Sequence, residues 1–264
     1  MNIVEIIQPH IIPALLVICR IGGLMIFGPV LSTPMIPARI RVGLAFLLGL
    51  AIYPALIPSP LIAVPQSIEL WMLAAVALIE VSFGAVIGLL AGLPIMAAQM
   101  GGLVMGQQMG LGFARFFNPA IDDEADVIGQ VLYILTIGAF IAVGGVEQLV
   151  YATLHSFQHV ALGGFIPAAD LLDVTAGLLL AALEMALRIS APLLGLIFLE
   201  TVAMGFLAKT VPQLNILSLG FPIRILAGLF ILAAGLLVVE EVLIEGIDAF
   251  ARALFQWIEG QSSA

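Results

Sequence analysis

Gly106-Gln107-Gln108-Met109-Gly110-Leu111-Gly112-Phe113-Ala114-Arg115-Phe116-Phe117-Asn118-Pro119 is the stretch on which the reading of this chain turns. It gathers Gly, Gln, Met and Phe in the middle of a sequence that otherwise reads as apolar helices. Lipid offers no hydrogen bonds, so irregular backbone at membrane depth must be buried in protein or line a cavity. A glycine-rich loop carrying Met and Phe in that setting predicts a deformable constriction across a pore. The plainer alternative is an ordinary inter-helix loop, since Gly and Pro punctuate loops everywhere.

Composition sets the class. Hydrophobic residues make up 62% of the 264 residues and charged residues only 9%, with a mean hydropathy of +1.24. A soluble domain carries about a quarter charged residues. The chain therefore reads as an all-α, polytopic integral membrane protein, a single membrane domain over 1–264. Glu5, with no Lys/Arg cluster, precedes the first apolar run, which reads as a retained helix rather than a cleaved signal. A net charge of −9 argues against nucleic acid and against anionic lipid as electrostatic partners. The single cysteine, Cys19, excludes an internal disulfide.

About six apolar segments reach, or nearly reach, the roughly 20 residues a spanning helix needs. They lie near Ile11–Leu31, Val42–Ile57, Ile68–Leu93, Val127–Leu149, Val174–Leu207 and Ile216–Leu243. The breaks carry turn chemistry at Pro34 and Pro37, Pro58-Ser59-Pro60, Gly163-Gly164 with Pro167, and Pro212. A weak internal division is expected near 150–173, where His155, His159, Asp170 and Asp173 raise the polarity. Arg39 and Arg41 fall in the first loop, Arg115 in the third and Lys209 in the fifth. The positive-inside rule then places the odd loops in the cytoplasm and both termini outside.

Gly84, Gly88 and Gly92 repeat every four residues, as do Gly102, Gly106 and Gly110. Each row lets a second backbone approach closely. That serves either a multi-helix assembly surface or packing within the chain. Ionisable groups inside apolar runs are expensive and face protein or water. Here they are Arg20, Glu80, Glu184, Arg188, Glu200 and Arg224. Glu184 and Arg188 have the i, i+4 spacing and the favourable order of a helical ion pair. A proton relay uses a connected series of acids or His, whereas acids here mix with Arg. Ion pairs between helices or subunits are the expectation.

No catalytic motif is present. The chain has no P-loop, no H-E-x-x-H and no Gly-x-Ser-x-Gly turn. His155 and His159 are four apart, but no further ligand accompanies them to complete the four of a structural metal site. Asp122-Asp123-Glu124-Ala125-Asp126 lacks EF-hand spacing and suits the N-terminus of a helix, where acids complement the dipole. No enzyme activity, metal or other cofactor is expected.

The chain resembles the FliR family of flagellar protein-export gate subunits, related to the T-type subunit of the injectisome export apparatus. Three blocks carry the likeness. The first runs from Arg20 through Pro29 to Pro37-Ala38-Arg39-Ile40-Arg41-Val42-Gly43-Leu44, with Pro54 beyond. The second is Gln108-Met109-Gly110-Leu111, Phe113-Ala114 and Phe116, closed by Asn118-Pro119. The third is Pro212-Gln213-Leu214-Asn215 followed by Gly220-Phe221-Pro222. Asn118 stands where the family often has Asp. The Gln-Met-Gly-Leu and Gly-Phe-Pro forms look flagellar rather than injectisome.

The resemblance implies a membrane subunit of the flagellar basal body in the bacterial inner membrane. It would sit as a single copy in a ring-like core with FliP and FliQ, with FlhB at the cytoplasmic entrance and FlhA below. Unfolded flagellar proteins would pass through a channel closed by a plug formed from Met105, Gln107, Gln108, Met109, Gly110, Gly112, Phe113, Phe116 and Phe117. Methionine suits a seal around varied substrates because it is unbranched and adaptable. Two other classes stand beside this one. One is a secondary transporter using Glu80, Glu184 and Glu200, which predicts broken helices in two repeats. The other is a structural assembly nucleus with no pore role.

Overall fold

An apolar chain has to satisfy its backbone amides internally, and a helix does so residue by residue. In the computed structural model, residues 3–33, 36–62, 69–111, 127–165, 169–211 and 216–261 are described, and they form eight α-helices and no strand. These are α1 (Ile3–Phe27), α2 (Ala38–Leu56), α3 (Leu70–Gln108), α4 (Val127–Ala142), α5 (Gly145–His159), α6 (Ala169–Thr210), α7 (Ile216–Ala234) and α8 (Leu236–Gly260). A short 3-10 turn spans Pro60–Ile62. Four helices are long and apolar enough to cross a membrane, and the bent pairs α4–α5 and α7–α8 bring the number to six. The six apolar segments of the sequence correspond to these six.

Three of the segments whose boundaries differ from the sequence expectation do so for a local reason. The third segment does not stop at Leu93: α3 continues through Pro94, Gly101, Gly102 and Gly106 to Gln108. Glycine and proline are tolerated in membrane helices where neighbours re-satisfy the backbone, so residues that break soluble helices did not break this one. Gly106, Gln107 and Gln108 are consequently helical, and a turn begins only at Met109. The fourth segment is interrupted at Gly144, whose φ of +73° suits glycine and ends α4. The sixth is divided at Gly235, where α7 and α8 meet at a 59° bend. Beyond Leu243 hydropathy fades because Glu245, Asp248 and Arg252 enter. Yet α8 goes on to Gly260, burying Ile247, Phe250, Leu254 and Trp257 on one face.

The chain divides into two compact units. The first comprises Met1–Leu93, Gly144–Leu178 and Asp248–Ala264; the second comprises Pro94–Val143 and Leu179–Ile247. In the first unit α1 and α2 share a core of Val17, Ile21, Met25, Ala45, Tyr53 and Leu56, completed by Ile62 and Phe157. The Tyr53 hydroxyl lies 2.8 Å from His10 Nδ1. The first glycine row is packed inside the chain. A Cβ on Gly84 would collide with the carbonyl of Arg20, and one on Gly23 with the carbonyl of Val81, so α1 and α3 touch backbone to backbone. Gly88 meets Gly28 and Leu24 in the same seam, while Gly92 is looser, 3.6 Å from the Phe27 oxygen.

In the second unit Gly102 is pressed against Gly129 of α4, and Gly101 faces the Ala186 carbonyl of α6. The second glycine row thus also serves contacts within the chain, at least at Gly102. Two methionines fill glycine notches: Met109 against Gly228 of α7, and Met185 against Gly246 of α8. An unbranched side chain can enter such a notch where a branched one cannot.

Candidate functional site

At the end of α3, Met105 faces inward on the last turns and is 3% exposed, while Gln107 and Gln108 point outward. The Met109 amide donates to the Met105 carbonyl at 2.9 Å and the Gly110 amide to the Gln107 carbonyl at 3.0 Å. Gly110 has a φ of +82°, the left-handed conformation that terminates helices at glycine. Met109 is buried with its side chain in the Gly228 notch. Two buried methionines therefore hold the end of α3 and the turn that follows it. Gly112, Phe113, Phe116, Phe117 and Pro119, expected in the plug or its motif, lie outside the described residues, as do Pro212 and Gln213.

The six ionisable residues fall into three arginine–glutamate pairs. In the first unit Arg20 of α1 meets Glu80 of α3, and both side chains are fully buried. Arg20 Nε donates to Glu80 Oε2 at 2.6 Å and Nη2 to Oε1 at 3.2 Å, the two-pronged geometry that suits a guanidinium. Nη1 donates to Ser156 Oγ at 3.1 Å and Nη2 also reaches the Val160 carbonyl at 3.3 Å. The Gly163 amide donates to Glu80 Oε1 at 2.6 Å. Phenyl rings flank the cation, with Arg20 Cζ 4.8 Å from the centre of Phe83 and 4.3 Å from that of Phe157. The charge is thus neutralised, hydrogen-bonded and covered by aromatic faces, as burial demands. Sequence reading singled out Arg20 and Glu80 but missed Ser156, Phe83 and Phe157. Nothing in their local sequence signals a role.

The second unit holds the other two pairs. Arg188 donates to Glu184 Oε1 at 2.7 Å along α6, with both side chains 62% exposed. Arg224 of α7 donates through Nη2 and Nε to Glu200 Oε2 of α6, at 2.8 and 3.1 Å. Arg224 Nη2 also donates to Thr201 Oγ1 at 3.0 Å. Glu200 is 10% exposed and Arg224 27%. Among the described residues, Glu200 Oε1 is one of two buried side-chain polar atoms without a partner; Trp257 Nε1 is the other.

The family-motif residues frame the helices. Pro37 is the N-cap of α2, at φ −55° and ψ 140°. Arg39 is exposed on the first turn of that helix. Gly220, Phe221 and Pro222 lie in α7, with the open side of Gly220 toward Met204 and Glu200 Oε1. The His155 and His159 rings are tilted at 51° with centres 4.2 Å apart, and His155 lies 3.4 Å from Glu259. No group of three or more His, Cys, Asp or Glu that could hold a metal occurs among the described residues.

Comparison with known proteins bears on these features together. The pattern of the bacterial export proteins, family 1, matches residues 11–250. Flagellar biosynthetic protein FliR of Escherichia coli (strain K12) is 29% identical over 216 residues, covering 81% of this chain and 80% of that protein. FliR of Pectobacterium carotovorum is 30% identical over 240 residues, covering 89% and 85%. Yop proteins translocation protein T of Yersinia pestis is 27% identical over 225 residues, covering 84% and 85%. With the match running from within α1 into α8, the chain belongs to the bacterial export proteins, family 1, the family of FliR.

Proposed function

We propose that this chain is a subunit of a bacterial type III protein-export gate of the flagellar kind, and that residues from Met109 to Pro119 form its plug. The observation that carries the reading is the match over 11–250, with FliR and T-type relatives covering most of the chain. The end of α3 supports the plug. Met105 and Met109 are buried in the chain's own packing, so they anchor the stretch, and closure falls to Gly112, Phe113, Phe116 and Phe117 beyond them. An apolar constriction also resists ions by dewetting. The sequence carries no P-loop, and in this reading the energy for transport comes from other components. In this reading the partners are FliP, FliQ, FlhB and FlhA, the cargo is unfolded flagellar protein, and the site is the inner membrane at the basal body.

Changing Phe113 and Phe116 to Ala tests the plug. Burying one Phe side chain contributes about 1.5–3 kcal/mol, enough for two losses to move a closed gate toward a leaky one. Assembled gates carrying both changes should admit ions or small solutes that the parent excludes, measured as conductance or solute entry in cells making the whole gate. If such gates assemble and stay as tight as the parent, the stretch is a connector. The 27% identity to the Yersinia translocation protein supports an injectisome gate as the second reading. Restored motility when the chain replaces FliR in a flagellated host would favour the flagellar one.

A further inference from the structure

We infer that the groove between α6 and α7 around Glu200 receives a helix of another chain, one that presents a neutral hydrogen-bond donor to Glu200 Oε1. The inference rests on the export-gate reading in one respect, that the chain works within an assembly. The groove is a cavity of about 330 Å³, far more than the roughly 30 Å³ share of one water. Its polar lining is Glu200, Thr201 and Arg224; Gly205, Ala208 and Gly220 give it a floor without bulk. Each polar group but one is already used. Arg224 donates to Glu200 Oε2 and to Thr201, and the Thr201 hydroxyl donates to the Ile197 carbonyl at 2.8 Å. Oε1 is the buried side-chain atom of the groove without a partner, with Glu200 10% exposed.

The chemistry of the occupant follows. A buried carboxylate oxygen without a donor is destabilising, and an acyl chain has no donor to give. The pair Glu200–Arg224 is already neutral, so a second Lys or Arg would bring an uncompensated charge into an apolar groove. A hydroxyl or a carboxamide satisfies Oε1 and leaves the charge balanced. Gly205 and Ala208 on the α6 wall and Gly220 on the α7 wall, between Met204 and Phe221, leave room for a close backbone, and in lipid the backbone able to approach is a helix.

A photo-reactive residue at Gly205, in cells making the whole gate, reads the contact. The expected adduct is an apolar helix of a different chain, with Asn, Gln, Ser or Thr within one turn of the attachment. Ala208→Leu fills the groove without altering charge and should lower that adduct about tenfold. Ala at the mapped donor should lower complex yield about tenfold, the scale of one buried hydrogen bond, and Glu200→Ala, which also strands Arg224, should lower it further. Combining them should cost no more than the worse single change. Adducts confined to lipid, an adduct helix without a donor, an unchanged yield with Ala208→Leu, or multiplying losses would each overturn the inference. Overturned in gates that still assemble and close, it leaves the export reading standing; a chain that enters no complex at all defeats both.

Discussion

Arg20–Glu80 and Glu200–Arg224 join helix to helix with the same two residue types, but they are finished to different degrees. In the first pair all three guanidinium nitrogens and both carboxylate oxygens have a partner. Ser156, Val160 and Gly163 complete the carboxylate and guanidinium, and Phe83 and Phe157 close the faces. The second leaves a carboxylate oxygen unmatched beside an open groove. A buried polar network that is complete rigidifies the core that contains it, and an incomplete one is costly until something completes it. The contrast separates a joint that the chain makes by itself from one that waits for a neighbour.

Breaking the finished joint should have the largest effect. Arg20→Met or Glu80→Met strands a buried charge, a loss of about 3–5 kcal/mol, and full-length protein in membranes should fall accordingly. The double change to Met removes both charges and should accumulate better than either single variant. Equal accumulation of parent and single variants would show that the pair is dispensable. Next in size is the glycine seam. Gly84→Val drives a side chain into the Arg20 carbonyl and should lower stability by about 1–3 kcal/mol. Gly195→Ala in α6, with open space around it, should be neutral or slightly stabilising, since Ala favours helix. Melting of the purified complex compares the two, and equal effects would remove the seam from the account. The smallest effect belongs to Glu184–Arg188, an exposed pair along one helix, where a double-mutant cycle on that melting should give at most about 0.5 kcal/mol. A coupling several times larger would mean that a partner chain buries this pair too.

Helix class and approximate positions were legible because membrane hydropathy is a strong signal, and all six apolar segments have counterparts. The Glu184–Arg188 pair was legible because both residues sit on one helical turn. Arg20 and Glu80 were visible separately as charges in apolar runs, but 60 residues separate them, and no local rule pairs residues across two helices. Ser156 and Gly163 were invisible for the same reason. The end of α3 was misplaced because Gly106 was grouped with the Gly- and Phe-rich residues after it, although Gly102 and Gly106 were also read as part of a close-packing row. In α3 those glycines are where other helices come close, as Gly101 and Gly102 do against α6 and α4, and the helix runs through them to Gln108.

The distance in sequence between Arg20 and its companions also sets a clock. Ribosomes add roughly 5–20 residues per second, so the 60 residues from Arg20 to Glu80 take about 3–12 s. The 140 to Val160 take about 7–28 s. A lone arginine at the centre of a membrane helix costs about 2.5–3.5 kcal/mol on insertion scales. During biogenesis α1 carries that penalty until α3 emerges, and the network around the charge closes only after α5 has followed. The joint that makes the first unit rigid is therefore completed only once α5 has been made, and the early chain depends for those seconds on the insertion machinery or the membrane interface to shelter its charge.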